Sequence, residues 1–388
     1  MTLTRGELYQ LAWSEPLRTL AKRFGISDVA LAKRCRGANI PLPGLGFWAK
    51  KEAGKAVFQA ALPERGLGQS DFLQFGPEER NGYAVADEEL LRMTLTPPEP
   101  FPDGLPEVLA RARRVVGKVR ASASLAKPHP LVARLLADDE KRREKQKSIP
   151  YASSFYAPIF ESPFERRRLR FMNGLLLAIV RAGGRASLRG KEGQEVGVMI
   201  GDTHLSFSLG PLKPPPATYP PKQLPANEKM KLQLGWYEPP PEIKIHWADD
   251  DGQVLEEQIE EIAASLFAYA EWAYRCGVQK AYEYRVERKR ELEARIRKQR
   301  EEAERRERAR IEKAAAERRD RLISDAAAWR TASQIRAYVE AQVARWSLDV
   351  DAEALNALQT WAEWAMGQAD QMDPLRAGGP PSQGYRSG

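Results

Sequence analysis

Histidine and cysteine are scarce in this chain, with three and two copies in 388 residues. His129, His204 and His246 are dispersed, and Cys35 and Cys276 lie far apart without metal-ligand spacing. A disulfide framework and a cysteine–histidine zinc site are therefore excluded, and a reducing compartment is expected. Neither a Ser/His/Asp pattern nor a phosphate-binding glycine loop is present, so no cofactor, metal or catalytic residue is expected and the chain is not read as an enzyme. Long apolar runs are also lacking: the longest, "LLLAIV" at 175–180, falls well short of the ~20 residues that span a bilayer. The N-terminus "MTLTRGELYQ" shows no charged-then-apolar leader. The expectation is a cytoplasmic protein without a membrane partner.

Charge, by contrast, is abundant. Charged residues make up 29% of the chain, and the net charge of +8 hints at a polyanionic partner. The surplus is local. Residues 1–60 hold 10 basic and 4 acidic residues, whereas 61–96 hold 3 and 7. The length suggests two or three units, since single cores seldom exceed ~250–300 residues.

Residues 1–60 read as three short helices. Leu8, Leu11 and Ala12 mark the first, and "WSEPL" passes to the second, with Ser14 as N-cap and Pro16 in the first turn. Leu17, Leu20, Ala21 and Phe24 share one face of the second. Gly25 suits the positive φ of a helix end, Ile26 plugs the corner, and Ser27 caps the third helix. In that third helix Leu31 and Cys35 point inward, while Val29, Ala32, Lys33 and Arg36 fall on the opposite face with Arg34 on the flank. After it, "IPLPGLGFWAKKEAGK" predicts an extended exit, a tight turn, and Phe47 and Trp48 folded back on the core.

This is the residue logic of a helix-turn-helix, and "LAKRFGIS" resembles bacterial helix-turn-helix domains over about 40 residues. The resemblance implies that the outer face of the third helix enters a DNA major groove. Candidate DNA-binding residues are Ser27, Val29, Ala32, Lys33, Arg34 and Arg36, with Lys50 and Lys51 on phosphates. Arg34 departs from the pattern, which usually has an apolar residue there; Cys35 can take that core position. Two alternatives stay open: three-helix units of this kind also dock proteins, and the lysines also suit a solvated helix face. The block "RGELYQLAWSEPLRTLAKRFGISDVALAKRCRGANIPLPGLGFWAK" also resembles the opening of an uncharacterised bacterial family that pairs it with a middle α+β region and a charged C-terminal coil.

Residues 61–160 read as a linker, since "TPPEPFPDG" holds neither helix nor central strand, with basic segments "ARARRVVGKVR" and "KRREKQK" on it. Residues 161–250 read as a small α+β domain. "SPFE" is a capping-box pattern; Leu169, Met172, Leu175, Leu176 and Ile179 line one helix face. Alternation at Val196, Val198, Ile200 and at Leu205, Phe207, Leu209 predicts two strands joined by a Gly201–Asp202 hairpin, and "MKLQLGW" and "EIKIHW" predict two more. One helix across a four- or five-stranded antiparallel sheet is the simplest assembly. Glu242 and Lys244, expected on one strand face, together with Asp202, match the way Mg²⁺-dependent nucleases of the restriction-enzyme type hold metal and water; such a triplet is also common on any solvated strand.

Residues 254–327 read as one long charged helix or coiled coil. Between 287 and 320 there are 14 basic and 10 acidic residues, and Glu precedes Arg by four at five places, Glu291–Arg295 to Glu304–Arg308. Each pair adds about 0.2–0.5 kcal/mol, enough together to sustain a solvated helix. Residues 328–372 read as a helical hairpin with tryptophans in its seam, and 373–388 as a disordered tail. The expected fold is thus multidomain and mainly α with a small α+β domain. The expected function is a DNA-binding regulator or accessory protein, with the long helix joining it to itself, as a homodimer, or to a partner protein.

Overall fold

Two apolar periodicities, one helical and one alternating, organise a structure that is mainly α with two small antiparallel sheets. The computed structural model describes residues 2–75, 85–148, 156–190, 192–213, 223–235, 237–250, 252–346 and 351–377. In chain order the elements begin with β1 (Thr2–Thr4), α1 (Arg5–Ser14), α2 (Leu17–Arg23), α3 (Asp28–Gly37), α4 (Phe47–Glu52), β2 (Phe72–Gln74), α5 (Asp87–Arg92), α6 (Leu105–Val116), α7 (Pro130–Ser148) and α8 (Pro163–Arg181). Then come β3 (Arg185–Arg189), β4 (Glu195–Ile200), β5 (Thr203–Pro211), β6 (Met230–Leu234), β7 (His246–Ala248), α9 (Ile259–Trp346), α10 (Ala352–Met372) and α11 (Pro374–Ala377). The chain divides into two compact units, Met1–Lys289 and Arg290–Gly388.

The first unit opens with a helical head. Thr4 and Glu7 form a full capping box on α1: the Thr4 hydroxyl accepts the Glu7 N–H at 3.1 Å and the Glu7 carboxylate accepts the Thr4 N–H at 2.8 Å. Ser14 is not the cap of α2. Its hydroxyl donates to Leu11 O at 2.9 Å, and Pro16 stands just ahead of α2 rather than in its first turn. A proline disfavours helical backbone in the residue before it, so Glu15 is extended and α1 stops there. Leu8, Ala12, Leu20, Ala21, Leu31 and Cys35 share one buried core, with Trp13 edge-on to Phe47 at 5.1 Å between centroids. That core closes only with β2, which pairs antiparallel with β1 (Leu3 opposite Leu73), and with Phe75, stacked on Phe24 at 4.4 Å. The head thus extends past the expected boundary at residue 60.

Behind the head lies the five-stranded antiparallel sheet, in the order β3-β4-β5-β6-β7. Val196 opposite Phe207, Val198 opposite Leu205, and Leu209 opposite Leu232 put the alternating residues on one face. They join one core with Leu169, Met172, Leu175, Leu176 and Ile179 of α8 and Ile259, Ile262 and Leu266 of α9. Ser162 caps α8, accepting the Glu165 N–H at 3.2 Å, while the Glu165 carboxylate turns to Arg168. The linker reading of 61–160 does not hold: Val108, Ala112 and Val116 of α6 and Val132 and Leu135 of α7 are buried in this same core. The proline-rich 94–104 is irregular backbone, but the apolar faces of the helices beyond it pack. α9 starts at Ile259 rather than Val254, because the Asp249 carboxylate takes the Leu255 N–H at 2.8 Å and holds a turn there.

The segment between head and sheet is clasped on two sides. Gly68 donates its N–H to the Glu271 carboxylate of α9 at 2.8 Å, and its carbonyl accepts the Asp202 N–H at 3.0 Å and the Thr203 hydroxyl at 2.9 Å from the β4–β5 turn. Here glycine is obligatory on both segments: a Cβ on Gly68 would stand 2.6 Å from Ile200 O, and one on Gly201 would stand 2.5 Å from the Gln69 nitrogen, both at positive φ. Glu271 is fully buried and is also paired with Arg65 and with Arg275, the latter at 2.8 Å. Arg65 in turn lies over the Tyr274 ring at 4.6 Å.

In the second unit α9 continues past 327 to Trp346, since no glycine or proline interrupts it, and α10 folds back as expected. The seam is made by small residues, Ala332, Val339, Ala365 and Ala369, and by Arg336 on Asp370 and Asp373 at 2.8 and 2.7 Å. Of the tryptophans expected in the seam, Trp329 and Trp346 are exposed, whereas Trp361 is half-buried and edge-on to Tyr338 at 6.3 Å between centroids. Asp373 is buried and α11 follows it, which shortens the expected tail; residues 378–388 and the proline-rich 214–222 lie outside the described residues. Of the five anticipated Glu-to-Arg pairs, Glu302–Arg306 and Glu304–Arg308 close to 3.9 and 3.8 Å.

Burial alone pushes the Glu271 carboxyl up, but hydrogen bonds from Arg65 and Arg275, the Arg65 charge and the Gly68 N–H hold it below the usual carboxylate range. A depressed folded value contributes stability above the unfolded pKa that disappears as pH falls through the folded one. Glu271→Gln should therefore cost about 3–5 kcal/mol at neutral pH, because Arg65 loses its carboxylate partner and Arg275 is left with Asp103 alone. It should also lose less stability than the wild type between about pH 5 and pH 3, and urea melts at both pH values test this; a variant with an unchanged acid slope contradicts the assignment.

Candidate nucleic-acid interface

The α2–α3 corner is built from local rules. α2 ends in a Schellman arrangement, with Ile26 N–H on Ala21 O at 3.1 Å, Gly25 N–H on Lys22 O at 3.2 Å and Gly25 at φ +67°. Ser27 then caps α3, accepting the Ala30 N–H at 3.1 Å. α3 closes in the same way, with Asn39 at φ +54° and Ile40 N–H on Cys35 O at 2.8 Å.

Three long-range contacts fix this helix. Arg5 is buried and donates to Ala38 O at 2.7 Å and Asn39 O at 3.2 Å, placing a guanidinium on the carbonyl end of α3. Burial pushes the pKa of Arg5 below its ordinary value. The Gln69 amide donates to Gly37 O, tying α3 to the clasped segment. Arg34 donates to Gln74 O of β2 and lies over the Phe75 ring at 5.2 Å.

With α3 held this way, Leu31 and Cys35 face inward with no exposed surface. Val29 is 73% exposed, Lys33 and Arg36 are exposed, and Ala32 is half-buried. Neither Lys33 nor Arg36 has a hydrogen-bond or ion-pair partner among the described residues. Arg34 is different from these two: its guanidinium is engaged with β2, so it braces the helix and is not a free cation. Ser27 is exposed and engaged as the cap. Lys50 and Lys51 are exposed on α4, Lys51 resting over the Trp48 ring at 5.2 Å.

Sequence reasoning overlooked Arg18 and Lys22, four apart on α2 and both exposed, although their helical spacing was visible. It also passed over Arg5 and Gln69, whose partners are distant in the chain. No local signal marks such a role.

The metal-site triplet does not assemble as expected. Glu242 sits in a turn after three prolines, Lys244 lies ahead of β7 rather than on it, and the Lys244 amine reaches Gln258 Oε1 at 3.3 Å. The Asp202 carboxylate accepts the Ser70 N–H at 2.8 Å and so belongs to the clasp. Among the described residues no group of three or more His, Cys, Asp and Glu is arranged to hold a metal, and no helix is long and apolar enough to cross a membrane. No protein-family model, curated protein or solved structure matches this chain.

Burial raises the Cys35 thiol to about 11, while Cys276 is half-buried. Iodoacetamide at mild alkaline pH should alkylate Cys276 about tenfold faster than Cys35 in the folded protein, and both equally in urea. Equal labelling of the folded protein, read by peptide mass, would show that the α3 register is wrong.

Proposed function

We propose that this protein binds double-stranded DNA through a helix-turn-helix formed by α2 and α3, as a regulator or accessory protein. One observation carries the reading: Lys33 and Arg36 stand three residues apart on the exposed face of α3 without any carboxylate partner among the described residues. A major groove admits an α-helix, where Lys and Arg address guanine edges and an apolar side chain such as Val29 suits a thymine methyl. Arg18, Lys22, Lys50 and Lys51 supply the phosphate contacts that set position. Self-association through the second unit gives a homodimer with two recognition helices, which matches palindromic half-sites. The expected setting is cytoplasmic, and the reading requires no catalysis.

A second reading is favoured by Leu45 and Phe58, exposed at 108% and 83% on the head. In it, the head docks a protein and the charged helix serves as a structural arm.

The experiment is a mobility-shift titration at fixed salt, repeated over a salt series. The DNA reading expects Lys33→Ala/Arg36→Ala to bind at least about tenfold more weakly and to reduce the salt slope by about 1–2. Melting should be unchanged, because both side chains are exposed. Equal affinity in the double variant rejects the interface, and an absence of salt-dependent DNA affinity in the wild type leaves the docking reading.

A further inference from the structure

We propose that the cleft between α7 and α8 binds a small organic anion with an apolar body, a carboxylate or phosphate monoester carried on an aryl or acyl group. The cleft encloses about 540 Å³, within the ~300–1,000 Å³ usual for small-molecule sites. Its floor is apolar, made by Leu125, Leu136 and Phe160 above Leu169. Arg143, Arg166, Arg170, Asp139 and Glu140 line the cleft as well.

The deciding observation is how the arginines of "ERRRLR" at 165–170 are used. Arg167 is held by Asp249 at 2.7 Å and Glu256 at 2.6 Å. Arg168 is fully buried against Glu165, Gly193 O and Glu192 O. Farther along the same helix, Arg181 caps the carbonyls of Val116 and Lys118 at 3.0 and 2.8 Å. Arg166 and Arg170 are the exceptions: four residues apart on one face of α8, they line the cleft with no hydrogen-bond or ion-pair partner among the described residues. The other charged groups that line the cleft are already engaged. Arg143 pairs with Glu140 and, at 3.2 Å, with Glu161. The Asp139 carboxylate accepts the Ile159 and Phe160 N–H groups at 2.6 and 3.3 Å.

Two uncommitted guanidiniums one helical turn apart suit one anionic head group, since each offers paired N–H donors to carboxylate or phosphate oxygens. The apolar floor then selects for a ligand with a hydrophobic body over a bare ion. This inference does not rest on the DNA reading, because none of its residues lies in the head.

The test is isothermal titration of the full chain with 1-naphthyl phosphate and with 1-naphthoate, against inorganic phosphate and neutral 1-naphthol. Both naphthyl anions should saturate one site per chain, with the two controls at least about tenfold weaker. Arg166→Gln/Arg170→Gln should weaken both anions by about tenfold or more through lost charge. Ser124→Trp should weaken them by filling the mouth from an exposed position while keeping every charge. Thermal melting should show both variants folded, since none of the three side chains has a partner to lose. The site is rejected if neither anion saturates, if either variant binds like the wild type, or if inorganic phosphate binds as tightly as its naphthyl ester.

Discussion

The Glu271 carboxylate, buried on α9 and shared by Arg65, Arg275 and the Gly68 N–H, is the interaction on which the first unit depends. Its charge can be buried only because every approach is occupied by a donor, and its donors come from separate parts of the chain. Arg65 and Gly68 belong to the segment that leaves the head, and Arg275 lies one turn along α9. On the other side of that segment, Gly68 and Gly201 bring two backbones too close for any side chain. The extension that follows then carries β2 and Phe75 back to complete the head core.

From that fixed point the geometry of α3 follows. Gln69, beside Gly68, holds Gly37 O; Arg34 holds β2; Arg5 holds the last carbonyls of α3. A helix so braced offers its outer face as a rigid surface, and rigidity lowers the entropy that recognition must overcome. The cations left over are those that no internal partner claims. The same sorting distinguishes α8, where the structural Arg167 and Arg168 lie between the uncommitted Arg166 and Arg170.

Much of this was legible in sequence because it depends on near neighbours. Gly25, Ser27 and the Leu31–Cys35 spacing set the α2–α3 corner, so the outward placement of Val29, Lys33 and Arg36 could be read from helical period alone. Val196 to Leu209 and the Gly201–Asp202 turn likewise fixed a hairpin whose register the structure repeats. The strands β1 and β2 were not legible, because three residues carry no periodicity and pairing joins Leu3 to Leu73. The roles of Arg5, Arg65, Gln69 and Glu271 were hidden for the same reason. Glu271 interrupts an apolar helix face as a lone acid, and its partner Arg65 lies 206 positions away. The basic segment at 110–120 misled in a different way: its charges drew attention from Val108, Ala112 and Val116, whose spacing of four already described a buried face.

If the clasp joins head and sheet into one cooperative body, their slowest-exchanging amides must open together. Hydrogen exchange followed across a urea series, comparing Leu31 in α3 with Phe207 in β5, measures this directly. The account predicts that both amides lose protection at the same urea concentration. Loss at Leu31 well before Phe207 would mean that the head opens independently, and would contradict it.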